Sequence, residues 1–369
     1  MVESAAGTLR GRHVTAGPAL KTQGIEQQMP KSTKCTMRDV ARLAGVSTST
    51  VSAVINETVV VSAERKAKVL RAMEALDYQP DAIARSLKTG RSNAIGIIVP
   101  DITNAFFPEV VRGAEEAAQA AGYSVLLCDS REDYSVEERQ LSALFSRRVD
   151  GVILACCVNS RAHESVTRHR VPVIFVDRLP PASSVNTVST DNVQAGQIAA
   201  EHLIKLGHKR IGMLAGHLSL SPHHDRLEGF RKAMQEAHLP ILSEFLVTGN
   251  VQVEDGVQAG YQLLNLPSPP TAIIASNNKL LLGVLQALEE RGISVPRDLS
   301  VLGIDDYLWN NHFNPTLTAV AQPTREIGRK SFELLLRLIS QPQEEANPLV
   351  QIRIPAELRV RKSTAPPTR

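Results

Sequence analysis

Apolar residues in the first quarter of the chain recur at three- and four-residue spacing, which is typical of short amphipathic helices. Three such stripes are separated by a glycine-containing break at residues 45–47 and by a serine at position 62 that can cap a helix. The stripes contain Val40, Leu43 and Ala44; Val51, Val54 and Ile55; and Val69, Leu70, Met73 and Leu76. The pattern predicts an all-α segment over residues 36–80. Residues 1–35 show no period and are expected to be a disordered extension, whereas residues 81–93 indicate a short helical segment and a linker.

From Ala94 onward, short apolar runs alternate with longer amphipathic stretches. The apolar runs, which are expected to be strands, are 94–100, 124–128, 151–155, 171–176, 210–216, 271–276 and 299–305. Strands that alternate with helices in this way are typical of parallel, doubly wound sheets that are covered on both faces. About 270 residues are too many for one such sheet. Two α/β lobes are therefore expected over residues 94–364, followed by a short tail at 365–369.

The composition is that of a globular chain, with 43% hydrophobic and 21% charged residues, and no apolar run is long enough to span a membrane. The first 91 residues carry 14 Lys/Arg and 8 Asp/Glu, a net charge of +6, whereas the remainder carries 27 and 30, a net charge of −3. A basic first quarter favours a polyanionic partner for that part of the chain. The sequence has neither a secretory signal nor a C-x-x-C pair among its four cysteines, so reduced thiols in a cytoplasmic protein are expected.

The most specific motif lies within residues 36–56, where a predicted helix, a glycine-containing turn and a second helix follow one another. This spacing lets the second helix protrude, and its outer face carries the small polar residues Thr48, Ser49, Thr50 and Ser52. Hydroxyl groups can bond base edges or phosphates, and a helix N-terminus favours phosphate. The pattern therefore indicates a DNA-binding helix-turn-helix, although a plain helical hairpin has the same spacing.

The first quarter of the chain resembles the DNA-binding part of the lactose/galactose repressor (LacI/GalR) family. The matching segments are RDVARLAGVSTSTVS, the asparagine that ends the second helix, VSAERKAKVLRAMEALDYQPDAIARSLKTG and the strand onset AIGIIVP. The resemblance continues to RKST at 361–364, so it covers essentially all of residues 36–364. It implies that the first part of the protein binds operator DNA.

The resemblance also implies a role for individual residues of the second helix. Those facing bases in the major groove would be Thr48, Ser49 and Ala53, and those holding phosphates would be Thr50, Ser52 and Asn56. Ala53 departs from the arginine or histidine that is commoner at its place in the family. An alanine side chain can offer only a methyl contact there, for example to thymine.

Residues 81–88 resemble the hinge helix of the same family, which enters the minor groove. The DNA-binding positions implied for this segment are Ala84, Arg85, Leu87 and Lys88. Leu87 would be the apolar wedge that unstacks a central base step, with Lys88 beside it in the groove; the alternative is a core leucine. A helix of this length is not stable by itself in water. It is therefore expected to fold only when it binds DNA next to the hinge helix of a partner subunit.

A second set of polar and aromatic residues is scattered over residues 94–364. Most of them follow the carboxyl end of a predicted strand, where open α/β sheets bind ligands. The set is Asn104, Phe106, Phe107, Asp177, Arg178, Arg226, Asn277, Asp305 and Gln322. Carboxylates accept hydrogen bonds from vicinal hydroxyls, guanidinium and amide groups bond the remaining oxygens, and phenyl rings cover an apolar face. Each residue could instead be a loop cap or a solvated charge, but together they indicate a site for a polyhydroxylated molecule.

The same set resembles the sugar-contacting residues of ribose-type binding proteins and their repressor relatives. Two departures matter: Ala105 replaces the usual proline, and Val251 stands where relatives often have an aromatic residue. Stacking on the ligand is therefore expected to be one-sided, and the identity of the sugar is left open. The sequence has no phosphate loop, dinucleotide-binding glycine motif, nucleophile elbow or zinc spacing. No catalytic residue, cofactor or metal is expected.

The resemblance implies a two-lobed core like that of periplasmic sugar-binding proteins, in which the lobes exchange strands. One lobe would comprise about 94–191 and 322–342, and the other about 192–321 and 343–364. The resemblance also implies a homodimer on near-palindromic operator DNA, with a sugar or sugar derivative between the lobes as effector. The protein is expected to be a transcriptional regulator that represses its target genes, and not an enzyme. A nucleobase effector, a protein corepressor and a solute-binding protein are the open alternatives, and the sequence does not distinguish inducer from corepressor.

Overall fold

The computed structural model of the protein describes residues 35–56, 59–79, 90–169, 171–180, 185–341 and 349–368. The chain forms two compact units, the first ending at Asp81 and the second beginning at Ala82. Each unit encloses its own hydrophobic core. Within the described ranges, no helix is long and apolar enough to cross a membrane.

The first unit contains the three predicted helices, α1 (Met37–Ala44), α2 (Thr48–Asn56) and α3 (Ala63–Ala75). Leu43 and Leu70 belong to the predicted apolar stripes, but they are 56% and 49% exposed and are not among the buried residues of the core. The helices meet along a stripe of smaller side chains, which lets their backbones approach closely. The buried members of this core are Val40, Ala41, Ala44, Val51, Val54, Val69 and Ala72.

The second unit alternates strands and helices along most of its length, as the apolar pattern predicts. Its strands are β1 (Ala94–Val99), β2 (Ser124–Asp129), β3 (Gly151–Leu154), β4 (Val173–Val176), β5 (Thr187–Thr190), β6 (Ile211–Gly216), β7 (Leu246–Thr248), β8 (Ala272–Ala275), β9 (Ser300–Ile304), β10 (Thr318–Ala321), β11 (Gln351–Ile354) and β12 (Glu357–Arg359). Its helices are α4 (Phe106–Ala120), α5 (Tyr134–Ser146), α6 (Ala162–His169), α7 (Asn192–Lys205), α8 (Ser221–Glu236), α9 (Val253–Leu264), α10 (Asn278–Glu290) and α11 (Thr324–Ser340).

The strands form two six-stranded sheets, which define two lobes. The first sheet has the order β11-β5-β4-β3-β1-β2, and all of its pairings are parallel. The second has the order β12-β10-β9-β8-β6-β7, and it is parallel except that β12 runs antiparallel to β10. The predicted fold class, a helical DNA-binding segment followed by two doubly wound parallel lobes, is therefore observed.

The chain passes between the two sheets at 190–192, 321–324 and 354–357. The first two crossings coincide with lobe boundaries that the resemblance implies, at about 191 and 322. The assignment of 343–364 to the second lobe is wrong in part, because β11 pairs in parallel with β5 and keeps the chain in the first sheet as far as Ile354. β11 is an edge strand in which exposed and half-buried residues alternate. Such a strand has no continuous apolar run from which it could be recognised.

Glycines let the helices that support the cleft pack unusually closely. A Cβ atom built on Gly196 of α7 would lie 1.9 Å from the carbonyl oxygen of Arg226 on α8, and one built on Gly229 of α8 would lie 1.9 Å from the carbonyl oxygen of Val193. Neither position can hold a larger residue unless the backbones move apart. Because the two helices contact each other at both glycines, the position of Arg226 on α8 is fixed relative to the edge of the second sheet.

Candidate effector cleft and nucleic-acid interface

Helix α2 presents a polar face to solvent. Thr48 and Ser49 at its amino-terminal turn are exposed, and Thr50, Ser52 and Ala53 are half-buried. Two buried valines anchor the opposite face of the helix in the core. The side chains predicted to contact bases are therefore accessible, and their contacts with DNA stay a prediction.

Ser47 caps α2, a role not predicted above. Its Oγ accepts a hydrogen bond from the backbone N–H of Thr50 at 3.1 Å, and it lies 2.7 Å from the Oγ of Ser49 and 2.8 Å from the Oγ1 of Thr50. These hydroxyls are thus held at a helix N-terminus, where backbone N–H groups and the helix dipole favour a phosphate. The signal is present in the sequence, because serine is a favoured residue at the N-cap position.

The remaining predicted DNA contacts lie outside the described part of the chain. They are the side chain of Asn56 and the hinge residues Ala84, Arg85, Leu87 and Lys88. The 1–35 extension likewise lies outside it, apart from Cys35. These assignments stay predictions.

In the second unit, one cavity between the lobes collects the scattered polar and aromatic residues of the sequence. All nine predicted effector-site residues line it, although they come from both lobes and from a crossing segment. The cavity measures about 30 Å³. Its lining comprises Asn104, Phe106, Phe107, Asp177, Arg178, Pro222, His223, Arg226, Asn277, Asp305 and Gln322.

Asp305 follows β9 and already has protein donors for both of its carboxylate oxygens. The Nε2 of Gln322 donates to Oδ1 at 2.6 Å, and the backbone N–H of Asn278 donates to Oδ2 at 3.1 Å. The Oε1 of Gln322 in turn accepts a hydrogen bond from Thr190 at 2.7 Å. Burial raises the pKa of Asp305 to about 6, against the opposing attraction of Arg226. Asp305 is therefore bonded to Gln322 at one chain crossing and to the first residue of α10, and a ligand would have to share or replace these bonds.

Asp177 follows β4 and is the second carboxylate that lines the cavity. It is 7% exposed, and its side chain has no hydrogen-bond donor among the described residues. Burial raises its pKa, although Arg226 and Arg178 act in the opposite direction. Both Asp177 and Asp305 have positive φ, at 56° and 95°. Such backbone costs free energy in a non-glycine residue and is concentrated at functional sites.

The two arginines of the set have different environments. Arg226 is 3% exposed and donates from Nε to the Oδ1 of Asn192 at 2.8 Å and from Nη1 to the carbonyl of Ser276 at 2.6 Å. Arg178 instead donates from Nη1 to both carboxylate oxygens of Glu132 at 2.8 Å. Arg226 is therefore the guanidinium facing the two aspartates, whereas the charge of Arg178 is largely neutralised by its partner.

Asn277 serves mainly as a helix cap, the alternative already recognised from the sequence. Its Oδ1 accepts a hydrogen bond from the backbone N–H of Leu280 at 2.8 Å. The neighbouring Asn278, not predicted as a site residue, donates from Nδ2 to the Oδ1 of Asn104 in the other lobe at 3.3 Å. A strand followed by two asparagines does not reveal which of them points across the cleft.

Further bonds join the lobes beside the cavity. The Nζ of Lys279 lies 2.7 Å from the Oδ2 of Asp101, and both side chains are less than 20% exposed. The backbone N–H of Leu179 donates to the Oγ of Ser221 at 3.0 Å. These contacts hold the two lobes against each other at the edges of the cleft.

The apolar wall of the cavity comes from the start of α4. Phe106 and Phe107 are 4% and 2% exposed, and their rings meet edge to face with centroids 5.2 Å apart. The guanidinium of Arg178 lies 5.5 Å from the centroid of Phe107. His223 contributes a further ring from α8 in the second lobe. His223 and the adjacent Pro222 line the cavity but are not among the predicted site residues.

The cysteine and acidic side chains of the described residues indicate neither a reactive thiol nor a metal site. All four cysteines are free, and burial raises the pKa of the Cys156 thiol to about 12. Within the described residues, no group of three or more His, Cys, Asp and Glu side chains could hold a metal ion.

Comparisons with known proteins agree with this division of the chain. Residues 36–81 match the bacterial regulatory proteins of the lacI family, and residues 200–364 match the periplasmic binding protein-like domain. The chain is 36% identical over 312 residues to the HTH-type transcriptional repressor PurR of Vibrio atlanticus, covering 84% of this chain and 93% of that protein. It is 39% identical over 309 residues to the ribose operon repressor of Escherichia coli, covering 83% and 94%.

Solved structures give the same result. A crystal structure of the lac repressor dimer, bound to operator and the anti-inducer ONPF, is 29% identical to this chain. The match has a TM-score of 0.79 and covers 90% of this chain and 99% of that one. These relatives are transcriptional repressors and not enzymes. Since the identity exceeds 30% over more than nine-tenths of the curated relatives, this chain belongs to the LacI family and is a DNA-binding transcriptional regulator.

Proposed function

We propose that this protein is a repressor whose affinity for operator DNA is controlled by a small, uncharged sugar or sugar derivative bound between the lobes of the second unit. The observation that carries the proposal is the buried Asp177 carboxylate, which lines the interlobe cavity and accepts no hydrogen bond from a described residue. A buried carboxylate without hydrogen bonds is costly, so a ligand that supplies donors is strongly favoured there.

The charges around the cavity favour a neutral polyol. Arg226 faces two carboxylates, while Arg178 and Lys279 are already paired with acidic side chains of their own. No positive charge is in excess, so a phosphate or carboxylate group on the ligand would lack a partner. Vicinal hydroxyls can supply the donors that Asp177 lacks among the described residues and can share Asp305 with its protein donors. The phenyl rings can cover the C–H face of a sugar.

The size of the cavity supports coupling between effector binding and lobe movement. A volume of about 30 Å³ is roughly that of one water molecule. A sugar can therefore enter only if the lobes separate, which breaks or rearranges the Lys279–Asp101 and Asn278–Asn104 contacts. Binding energy is in this way linked to the angle between the lobes. The hinge segment 81–93 precedes the first strand of the first lobe, so in a homodimer a change of lobe angle would alter the spacing of the two hinges and hence operator affinity.

Two of the relatives support parts of this proposal. One is named as the repressor of a ribose operon, and the lac repressor structure is a dimer on operator DNA. We therefore propose that the protein acts in the cytoplasm as a homodimer that binds a palindromic operator. A nucleobase is the second candidate effector, because its ring N–H groups can also donate a hydrogen bond to the Asp177 carboxylate.

The test is a thermal-shift screen of the full chain over neutral sugars, sugar acids, sugar phosphates and nucleobases. Each hit is then titrated by calorimetry, and its effect on binding to a selected operator is measured by fluorescence anisotropy. We expect a neutral sugar to raise the melting temperature and to change operator affinity. Stabilisation by nucleobases or sugar phosphates alone would contradict the proposed class of effector.

A further inference from the structure

The loop after β9 contains two consecutive aspartates with different partners. Asp305 lines the interlobe cavity, whereas Asp306 is not among the residues that line it. The side chain of Asp306 is only 2% exposed, and its carboxylate accepts hydrogen bonds from Arg359 and Arg361. Burial raises the pKa of Asp306, but the bonds from these two arginines outweigh it and hold the pKa below its usual range. Asp306 is therefore an ionised carboxylate whose position depends on its guanidinium partners.

Arg361 is the stronger of the two partners. Its Nη1 donates to the Oδ1 of Asp306 at 2.8 Å and its Nη2 to the Oδ2 at 2.9 Å, whereas Arg359 supplies a single bond at 2.8 Å and is 52% exposed. Arg361 is 14% exposed, and it is fixed in turn by the Oγ1 of Thr318, which accepts from its backbone N–H at 2.9 Å, and by the carbonyl of Leu317. A bidentate pair fixes direction as well as distance. The last part of the chain thus holds Asp306 against the start of β10.

The backbone of Asp305 has a conformation that needs such support. Its φ is 95°, which costs free energy in a non-glycine residue. Its N–H donates to the carbonyl of Val320 at 2.9 Å, and its carbonyl accepts from the Nδ2 of Asn310 at 3.2 Å. The ion pair of Asp306 fixes the next residue of the same loop. Together these contacts keep the Asp305 side chain within reach of Gln322 and of the cavity.

We propose that Arg361 is a positioning residue of the effector site, because its bidentate bond to Asp306 keeps the Asp305 carboxylate where an effector can reach it. This inference rests on the proposed effector site, although Arg361 is not among the residues that line the cavity. Without Arg361, the buried Asp306 carboxylate loses its main partner, and an uncompensated charge of this kind moves toward water. Asp305 moves with it, whereas a binding group has to stay within about 0.5 Å of its productive position.

The test compares the full-length wild type with Arg361→Gln, Arg361→Lys and Arg353→Gln. Each protein is titrated by calorimetry with D-ribose, D-glucose, D-galactose and cellobiose, and the sugar that the wild type binds most tightly is used for the comparison. Arg361→Lys keeps the charge but cannot form a bidentate pair, so it carries the test if Arg361→Gln does not fold. Arg353→Gln is the matched control, because it makes the same substitution at an exposed position of β11 in the first lobe.

We expect Arg361→Gln to bind the sugar at least about tenfold more weakly than the wild type, which is the loss of one hydrogen bond to a charged group. Arg361→Lys should show a smaller loss in the same direction, and Arg353→Gln should stay within about twofold of the wild type. In the background of Asp305→Asn, Arg361→Gln should add less than about twofold, because the carboxylate that it positions is already gone. A purely structural role of Arg361 would lower the melting temperature but leave the effector affinity of the folded variants unchanged.

A second measurement needs no ligand. The melting temperatures of the wild type, Asp305→Asn, the folded Arg361 variant and the double variant form a cycle. We expect the double variant to lose less than the sum of the single losses, whereas the losses should add when the Arg361 variant is combined with Asp133→Asn, which removes a helix cap in the first lobe. Unchanged effector affinity in folded Arg361 variants, or additive losses in the Asp305 cycle, overturns the inference. If the wild type binds none of the four sugars, the failure falls on the proposed effector class, and the melting cycle decides whether Arg361 positions Asp305.

Discussion

Replacing Asp177 with asparagine should weaken effector binding and, at the same time, make the ligand-free protein more stable. The substitution keeps the size of the side chain and removes only its charge and one acceptor. The Asp177 carboxylate is buried and has no donor among the described residues, so the ligand-free protein loses no hydrogen bond. The effector, if it donates hydroxyls to this carboxylate, loses a charged acceptor.

The expected size of each effect follows from the environment of the carboxylate. A hydrogen bond to a charged group contributes about 1.5–3 kcal/mol, which corresponds to a loss of about 10- to 150-fold in effector affinity. The effect on stability has the opposite sign. Since burial raises the pKa of Asp177, the ionised form is less stable in the folded chain than in the unfolded chain. Its favourable contribution is present below the unfolded pKa and is lost as the pH rises through the folded pKa. The variant should therefore gain most in stability at neutral pH and little in acid.

The assay combines calorimetric titration of the best hit from the sugar screen with melting curves of the ligand-free protein from pH 4 to pH 8. Asp305→Asn is the informative comparison. The Asp305 carboxylate already accepts hydrogen bonds from Gln322 and Asn278, and an amide would set its Nδ2 donor against one of these donors. Asp305→Asn should therefore lower the melting temperature as well as effector affinity.

Two outcomes would refute this reasoning for Asp177. If Asp177→Asn keeps wild-type effector affinity, the carboxylate does not hold the ligand. If the variant loses affinity and melting temperature together, Asp177 braces the lobes and has an unrecognised partner. Operator affinity without effector should stay unchanged in either case, because the DNA-binding helices form a separate unit.

Three further predictions concern the other parts of the mechanism. Replacing Thr48 and Ser49 together should change the half-site chosen in a binding-site selection, because each mismatched base pair costs about 1–3 kcal/mol. The salt dependence of binding should stay the same, because no charge is lost. An unaltered half-site would exclude Thr48 and Ser49 as base contacts. Leu87→Ala should reduce operator bending in a gel-mobility assay without changing the melting temperature, because a methyl group is too short to wedge a base step, and wild-type bending would show that Leu87 is not the wedge. Effector affinity should weaken as the pH falls below about 6, because burial raises the pKa of Asp305 to about 6 and the protonated carboxyl has lost an acceptor. An effector affinity that stays constant between pH 5 and pH 8 would contradict the role of Asp305.

Much of the site could be predicted from the sequence, because it depends on local rules. The carboxyl ends of parallel strands meet at one edge of a sheet, so residues that follow apolar runs can be assigned to a common cleft without coordinates. Most of the nine predicted residues follow a strand in this way, and all nine line the cavity. The same local signals failed for β11, an edge strand without an apolar run, and for Leu43 and Leu70, whose helical stripes gave no indication of which apolar side chain meets the core.

What the sequence predicted by itself was seven of the twelve strands, the division into a DNA-binding unit and a two-lobed core, and most of the residues that line the cleft. It could not distinguish Asp177 from Asp305, since both are aspartates that end an apolar strand. The tertiary structure decides that Asp305 accepts a hydrogen bond from Gln322 in a crossing segment, whereas no residue in the described part of the chain donates to the Asp177 side chain. It also decides which of two adjacent histidines enters the cleft, because the close packing of α8 on α7 sets the rotation of the helix and turns His223 inward. Periodicity is a property of neighbours in the chain, but hydrogen-bond partners and helix rotation depend on residues far away in sequence that only the folded chain brings together.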